Sequence, residues 1–312
     1  MRDIIKLIPC FKDYLWGGTR LRDEFGMKCE TAKIAEAWEL SCHPDGACYT
    51  ESGETLAELI ASDPELLGTH GRSFERFPLL IKLIDARDRL SVQVHPNDEY
   101  AKRDGESGKT EMWYVLDADE KAELVYGFKR ELSHDEFARR IKDNTLPEVL
   151  NYVPVKKGDV FFIEAGTIHA IGAGILIAEI QQNSNATYRV YDYGRRGADG
   201  RLRELHVDKA LDVTSLCPTK ASKPEKAKLL DCGSVKKLTE CDYFKSSEYR
   251  LDGEYIFNAS PECFAHLLIL DGNAEIKGIS ETISAKKGDS IFIPADVPCS
   301  VSGQTSLIYT TI

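Results

Sequence analysis

Apolar residues come along this chain in short bursts rather than in long helical stripes. PLLIKLIDA, LSVQVH, EMWYVLDA, AELVYGF, DVFFIEA, GILIAEI and ATYRVYDY succeed one another between residues 78 and 193, and HLLILDG, AEIKGI, SIFIPA and LIYTTI come after residue 265. Each is rich in β-branched and aromatic residues and is bounded by Gly, Asp, Asn or Pro. That pattern predicts a mainly β chain folded as antiparallel sandwiches or barrels. Two stretches read differently. TLAELIASDPELLG (55–68) predicts one or two short helices, and SHDEFARRIKDNTLPEVLNYV (133–153) opens on Ser133 as a helix cap and continues at helical spacing.

One sentence is written twice. GDVFFIEAGTIHAIG (158–172) returns as GDSIFIPADVPCSVS (288–302), with Cys299 in the place of His169 and Asp296 in the place of Gly166. Between the copies, Cys217–Lys228 is polar, contains Pro and has no apolar period, as a boundary would. The duplication predicts two related β-sandwiches, one over 1–220 with a helical insertion near 131–152, the other over 221–312.

Composition narrows the partners. With 312 residues, 42% apolar and 29% charged, the chain has enough material for two packed domains. A formal net charge of -11 argues against nucleic acid or an anionic membrane as partner. It leaves room for an anionic small molecule, because a few Lys and Arg can dominate the field inside a cleft. There is no signal-like apolar segment and no run near the ~20 apolar residues that span a bilayer, so a cytoplasmic location is expected. Nine scattered cysteines without a CxxC pair suit reduced thiols.

The chemistry gathers in the first copy. If LSVQVH is a strand, Ser91, Gln93 and His95 share one face. In GKTEMWYVL, Lys109, Glu111 and Trp113 share another, and the turn EAGT delivers His169. A Gln oxygen, two imidazoles and a carboxylate form a donor set suited to zinc, with Fe²⁺, Mn²⁺ or Co²⁺ as alternatives. From Glu179 to Arg189 the odd-numbered residues Glu179, Gln181, Asn183, Asn185, Thr187 and Arg189 are all polar. Regular strand geometry would make them one polar face, while a loop would break the register. Two nucleotide-site readings fail on context. GKT at 108–110 lacks the first Gly of a P-loop, since Arg103 stands there, and GAGIL lacks the third Gly of a dinucleotide loop.

The run from Gly158 to His169 resembles the second cupin motif, with Glu164 for the usual Pro and without the closing Asn. QVH followed by Glu111 resembles the first cupin motif, with Gln for its first His. More specifically, QVHP, the Lys109–Glu111 K-x-E and EIQQNSNATYR, with YLWGG and EAWELSCHPDG upstream, are similar to the type I mannose-6-phosphate isomerase family in its short bacterial form. The resemblance covers nearly the whole chain. It implies two cupin-type jelly-roll domains, the first catalytic and the second degenerate, and one Zn²⁺ per chain on Gln93, His95, Glu111 and His169. It further implies an active site with Lys82, Lys109, Glu179 and Arg189, and Ser91, Lys109, Arg189 and Asn185 against a phosphorylated hexose. The expected reaction is aldose–ketose isomerisation through a cis-enediolate, by a monomer or a homodimer.

Three positions depart from the longer enzymes of that family: Gly108, Thr110 and Asn185. Proton transfer therefore falls to Lys82, Lys109 or Glu179, and a Lys beside a metal and other cations would have a lowered pKa. A non-enzymatic metal-holding cupin that binds sugar phosphates is one alternative. A cupin metalloenzyme with another substrate, such as an Fe²⁺ oxygenase on His95, Glu111 and His169, is a second. Lys82, Lys109 and Arg189 suit a phosphorylated polar substrate, have no obvious role in O₂ chemistry and would not be needed around a purely structural zinc. The second copy offers only the lone His266 and should serve to pack against the first domain and shape its entrance.

Overall fold

The computed structural model describes residues 2–197, 200–219 and 225–312. Part of the expected boundary, residues 220–224, lies outside the described residues. The chain is mainly antiparallel β, and the strand pattern appears where the sequence placed it: Leu79–Ala86, Val92–Val94, Glu111–Ala118, Glu123–Phe128, Val160–Ile163, Ile175–Gln182 and Tyr188–Tyr191. HLLILDG and AEIKGI, two runs in the sequence, form one long strand Ala265–Lys277 whose pairing with Cys299–Thr311 shifts between Ile269 and Asp271. The helical insertion is shorter than expected. Ser133 does cap a helix, accepting from the Glu136 N–H, but this helix covers only His134–Lys142, and Leu150–Pro154 is a strand. Its sequence LNYVP carries a β-branched and an aromatic residue and ends on Pro, so the strand edge suits it better than a continued helix.

Two sheets enclose the first core. One runs in the order Leu150–Pro154, Glu123–Phe128, His169–Ala170, Val92–Val94, Tyr188–Tyr191. The other runs Val160–Ile163, Glu111–Ala118, Ile175–Gln182, Leu79–Ala86, Glu36–Leu40, Cys10–Lys12. Ile84, Trp113, Val115 and Ile177 of the second sheet pack with Leu124 and Tyr126 of the first. The outer face of the five-stranded sheet, with Val92, Val94 and Val125, is covered by Phe137 and Ile141 of the helical insertion and by Ala210 of the helix Val207–Val213.

The six-stranded sheet is buried on both faces. Leu79, Ile81, Leu83, Met112, Tyr114, Leu176, Ala178 and Ile180 point away from the first core, against Phe244, Phe264, Leu268 and Phe292 of the C-terminal half. Their alternates, Lys82, Ile84, Glu111, Trp113, Ile177 and Glu179, face the interior of the first sandwich. Burial on both faces explains why these strands read as nearly continuous apolar runs interrupted by a few charges.

The halves are interleaved at the N-terminus. Ile5–Ile8 pairs with Ser290–Ile293 (Ile5 opposite Phe292), so residues before position 10 belong to the large C-terminal sheet. That sheet closes over a second core of Leu251, Leu267, Ile276, Ile291 and Val301. No helix among the described residues is long and apolar enough to cross a membrane. None of the nine cysteines is paired.

Candidate active site

Cross-strand register assembles the site. Gln93 lies opposite His169 on one side and opposite Arg189 on the other. In the facing sheet Glu179 lies between Lys82 and Trp113, and Gln181 lies opposite Glu111. Residues up to 100 positions apart in sequence thus meet as direct neighbours. The odd-numbered polar series does not form one face. Glu179 and Gln181 end a fully buried strand pointing inward, residues 183–187 form a loop, and Arg189 returns on a strand of the opposite sheet.

His95, Glu111 and His169 are fully enclosed, and their ligand atoms all lie within 4.8 Å of one another. His95 Nδ1 is 2.8 Å from the Ala186 carbonyl and His169 Nδ1 is 2.8 Å from that of Thr167. Each Nδ1 therefore carries the proton and donates, which leaves both Nε2 atoms with a lone pair. Those lone pairs face each other at 3.1 Å and stand 3.5 and 3.4 Å from the Glu111 carboxylate. Lys109 Nζ stands 2.9 Å from Glu111 Oε2 and 3.2 Å from His95 Nε2, while the other Glu111 oxygen, Oε1, has no hydrogen-bond partner among the described residues. Acceptors gathered this closely suit a divalent cation. Burial pushes His95 well below the ordinary imidazole range and takes His169 down to about 4, so both are neutral and ready to bind a metal. The Gln93 amide is 3.4 Å from His169 Nε2 and offers its oxygen to the same point when the amide is turned over. His95, Glu111 and His169 could together hold a metal ion, and Gln93 lies beside them. Among the described residues no other cluster of His, Cys, Asp or Glu could.

Around this centre stands a charged ring. Lys109 Nζ lies 2.9 Å from Glu111, 3.2 Å from His95 Nε2 and 4.0 Å from Glu179. Lys82 Nζ lies 3.4 Å from Glu179 and 3.7 Å from Glu36, above the Trp38 ring at 4.9 Å. Trp113 donates to Glu179 at 2.9 Å, and Trp38 donates to Glu36 at 2.7 Å. Burial alone would raise the Glu179 carboxyl, but Lys109, Lys82 and the Trp113 N–H outweigh it and hold it well below the usual range. Lys82 reverses an expectation. Burial tends to lower it, yet Glu36 and Glu179 more than compensate and its pKa is raised. With a carboxylate on either side, this lysine is a fixed ammonium.

A cavity of about 470 Å³ opens over the ring, a size suited to a small polar ligand. Lys82, Ser91, Gln93, Lys109, Glu179 and Arg189 all line it, and Asn185 sits in its wall, donating to Asp45 at 2.8 Å. Every lining residue precedes position 204, so the C-terminal half does not shape this entrance. A second, larger cavity of about 800 Å³ shares Asn185 but holds no metal-ligating cluster. Among the cavity residues to which sequence reading gave no role are Glu36, Trp16 and Arg203. The first two lie in the stretches EAWELSCHPDG and YLWGG, so their presence was signalled without a role. Arg203, in the loop sequence RLREL, carried no signal.

Comparison with known proteins identifies the family. Residues 4–133 match the model for the phosphomannose isomerase type I catalytic domain, and 234–312 that for the mannose-6-phosphate isomerase cupin domain. The chain is 37% identical over 292 residues to a mannose-6-phosphate isomerase of Bacillus subtilis, covering 92% of this chain and 91% of that one. It is 38% identical over 285 residues to the mannose-6-phosphate isomerase of Streptococcus mutans, covering 90% and 89%. The crystal structure of a mannose 6-phosphate isomerase from Bacillus subtilis superimposes with a TM-score of 0.91 at 35% identity over 99% of both chains.

Proposed function

The chain belongs to the type I mannose-6-phosphate isomerase family, and from that premise we propose that it is a zinc enzyme that interconverts mannose 6-phosphate and fructose 6-phosphate. Gln93, His95, Glu111 and His169 would hold the ion. Held there beside one anionic ligand, the ion would supply Lewis-acid stabilisation to the negative charge that an aldose–ketose isomerisation develops on the sugar's oxygens. The observation that carries this reading is the convergence of two neutral imidazole Nε2 atoms on the buried Glu111 carboxylate, whose only close charged partner besides them among the described residues is Lys109. A purely structural zinc would need no charged ring around such a centre.

The chain's own residues divide the remaining work. Lys109 stands beside the two imidazoles at the inner end of the cavity and is placed to exchange the proton between C1 and C2. Glu179, ionised and 4.0 Å away, is its partner. Lys82, kept cationic by Glu36 and Glu179, orients the sugar hydroxyls and offsets negative charge rather than abstracting a proton. Ser91 and Asn185 contribute polar contacts to the substrate, and Arg189 receives the phosphate. The first sandwich, within residues 1–220, carries all of this; residues 221–312 support its sheet from behind.

Conversion of mannose 6-phosphate to fructose 6-phosphate tests the reading when followed on the purified protein, after chelation and after zinc is restored. Activity should vanish with chelation and return with zinc. A metal-replete protein that binds the sugar phosphate without turning it over would be the binding module instead.

A further inference from the structure

The charges lining the 470 Å³ cavity are not evenly balanced. At its inner end Lys82 and Lys109 are matched by Glu36, Glu111 and Glu179. Toward solvent it is lined by Arg189 and Arg203 and by no carboxylate. Among the described residues no acidic side chain pairs with Arg189. Its Nε donates to Ser91 Oγ at 3.2 Å and one Nη donates to the Glu204 carbonyl at 2.9 Å, which fixes the guanidinium and leaves the other Nη without a hydrogen bond among the described residues.

Arg203 has one acidic partner among the described residues. Its Nη1 lies 3.5 Å from Asp192 Oδ2, outside strong hydrogen-bond distance, while Arg195 engages the other oxygen, Oδ1, through more than one hydrogen bond. Burial is the main cause of a lowered Arg189 pKa, and Arg203 is the largest charge that adds to it. Two guanidiniums crowded at one end of a cavity repel one another unless an anion lies between them. A phosphate monoester, with a charge of about −1.5 to −2 at neutral pH, is the anion such a pair matches. Position agrees as well. Ser91 and Gln93 are two residues apart in an extended segment, about 7 Å along one face, so an anion on the Ser91–Arg189 side lies roughly a hexose chain away from the metal ligands.

We propose that Arg203 is the second arm of a two-arginine clamp that closes with Arg189 on the phosphate of the sugar substrate. The clamp rests on the sugar-phosphate isomerase reading, and the experiment separates the two. In the zinc-loaded enzyme, Arg203→Gln should raise KM for mannose 6-phosphate and the inhibition constant of inorganic phosphate together, by about 10- to 100-fold. kcat should stay within about threefold, and Arg203→Lys should fall between the variant and the parent. If both constants stay within about twofold, Arg203 is only a partner of Asp192 and the clamp is wrong; a fall in kcat with both constants unchanged also overturns it. A parent enzyme without turnover would remove the isomerase reading alone. Calorimetric binding of inorganic phosphate to the parent and to Arg203→Gln would then decide the clamp, and equal affinities would reject it. Should Arg203→Gln unfold, Arg203→Lys carries the same readouts.

Discussion

The two copies of the duplicated sentence have the same backbone and opposite interiors. Gly158 and Gly288 turn with φ of 87° and 88°, and the next turn is left-handed in both, at Gly166 (89°) and Asp296 (63°). Val160–Ile163 and Ser290–Ile293 follow the first turn, and strands resume at His169 and Cys299. Asp tolerates a left-handed turn better than most side chains, so the second copy lost its glycine without losing the turn. What differs is the company of the last residue. His169 meets His95, Glu111 and Gln93, whereas Cys299 lies among Val301, Leu307, Ile293 and other apolar side chains. A turn and two strands are a scaffold that either interior can use. Chemistry resides in what the neighbouring strands present.

The largest effect should come from His169→Ala, which removes a ligand and takes activity down by at least about a thousandfold. Bound zinc, measured by metal analysis, should fall with it. Cys299→Ala at the matching position should leave kcat/KM within about twofold and lower stability by only about 1 kcal/mol in urea unfolding. Comparable losses from the two would mean the second copy also takes part in catalysis.

Lys109→Met should lower kcat by about 10²–10⁴-fold with zinc content unchanged. Near-normal turnover would move the proton transfer to Glu179. Cys299→His should not rebuild a metal centre. It buries an imidazole without partners, costing about 1–3 kcal/mol of stability, and zinc should remain one per chain.

The smallest effect concerns acid stability. His266 is fully buried, with Nε2 2.7 Å from Ser290 Oγ and no partner for Nδ1, and burial takes its pKa down to about 3 from 6.5. Between those values the unfolded chain binds a proton that the folded chain refuses. Stability contributed by neutral His266 is therefore complete above about pH 6.5 and is lost as pH falls toward 3. His266→Gln should flatten the fall in melting temperature over that window. An unchanged slope would show that other groups govern acid unfolding, such as the carboxylates of the first copy.

Much of this could be read from the residues. LSVQVH placed Gln93 and His95 on one face, and KTEMW placed Lys109, Glu111 and Trp113 on another, because alternation along a strand is a local property. The helix after Ser133 was legible in its start, where the cap is local, and not in its end, where sheet pairing claimed Leu150–Pro154. Lys82 was legible as a residue out of place but not as a permanent cation, since that depends on Glu36 and Glu179, 46 residues before it and 97 after.

The sequence by itself determined where the strands fall, that one unit occurs twice, and which copy kept metal-binding residue types. Each of these is written in spacing and side-chain chemistry within a few residues. Only the tertiary structure decided that Gln93 stands between His169 and Arg189, that Ile5–Ile8 joins the far sheet, and that Arg203 reaches the cavity. Those outcomes depend on long-range register and on which face of a doubly buried strand meets which core. When both faces are apolar, alternation no longer distinguishes them, and the choice passes to the packing of the whole chain.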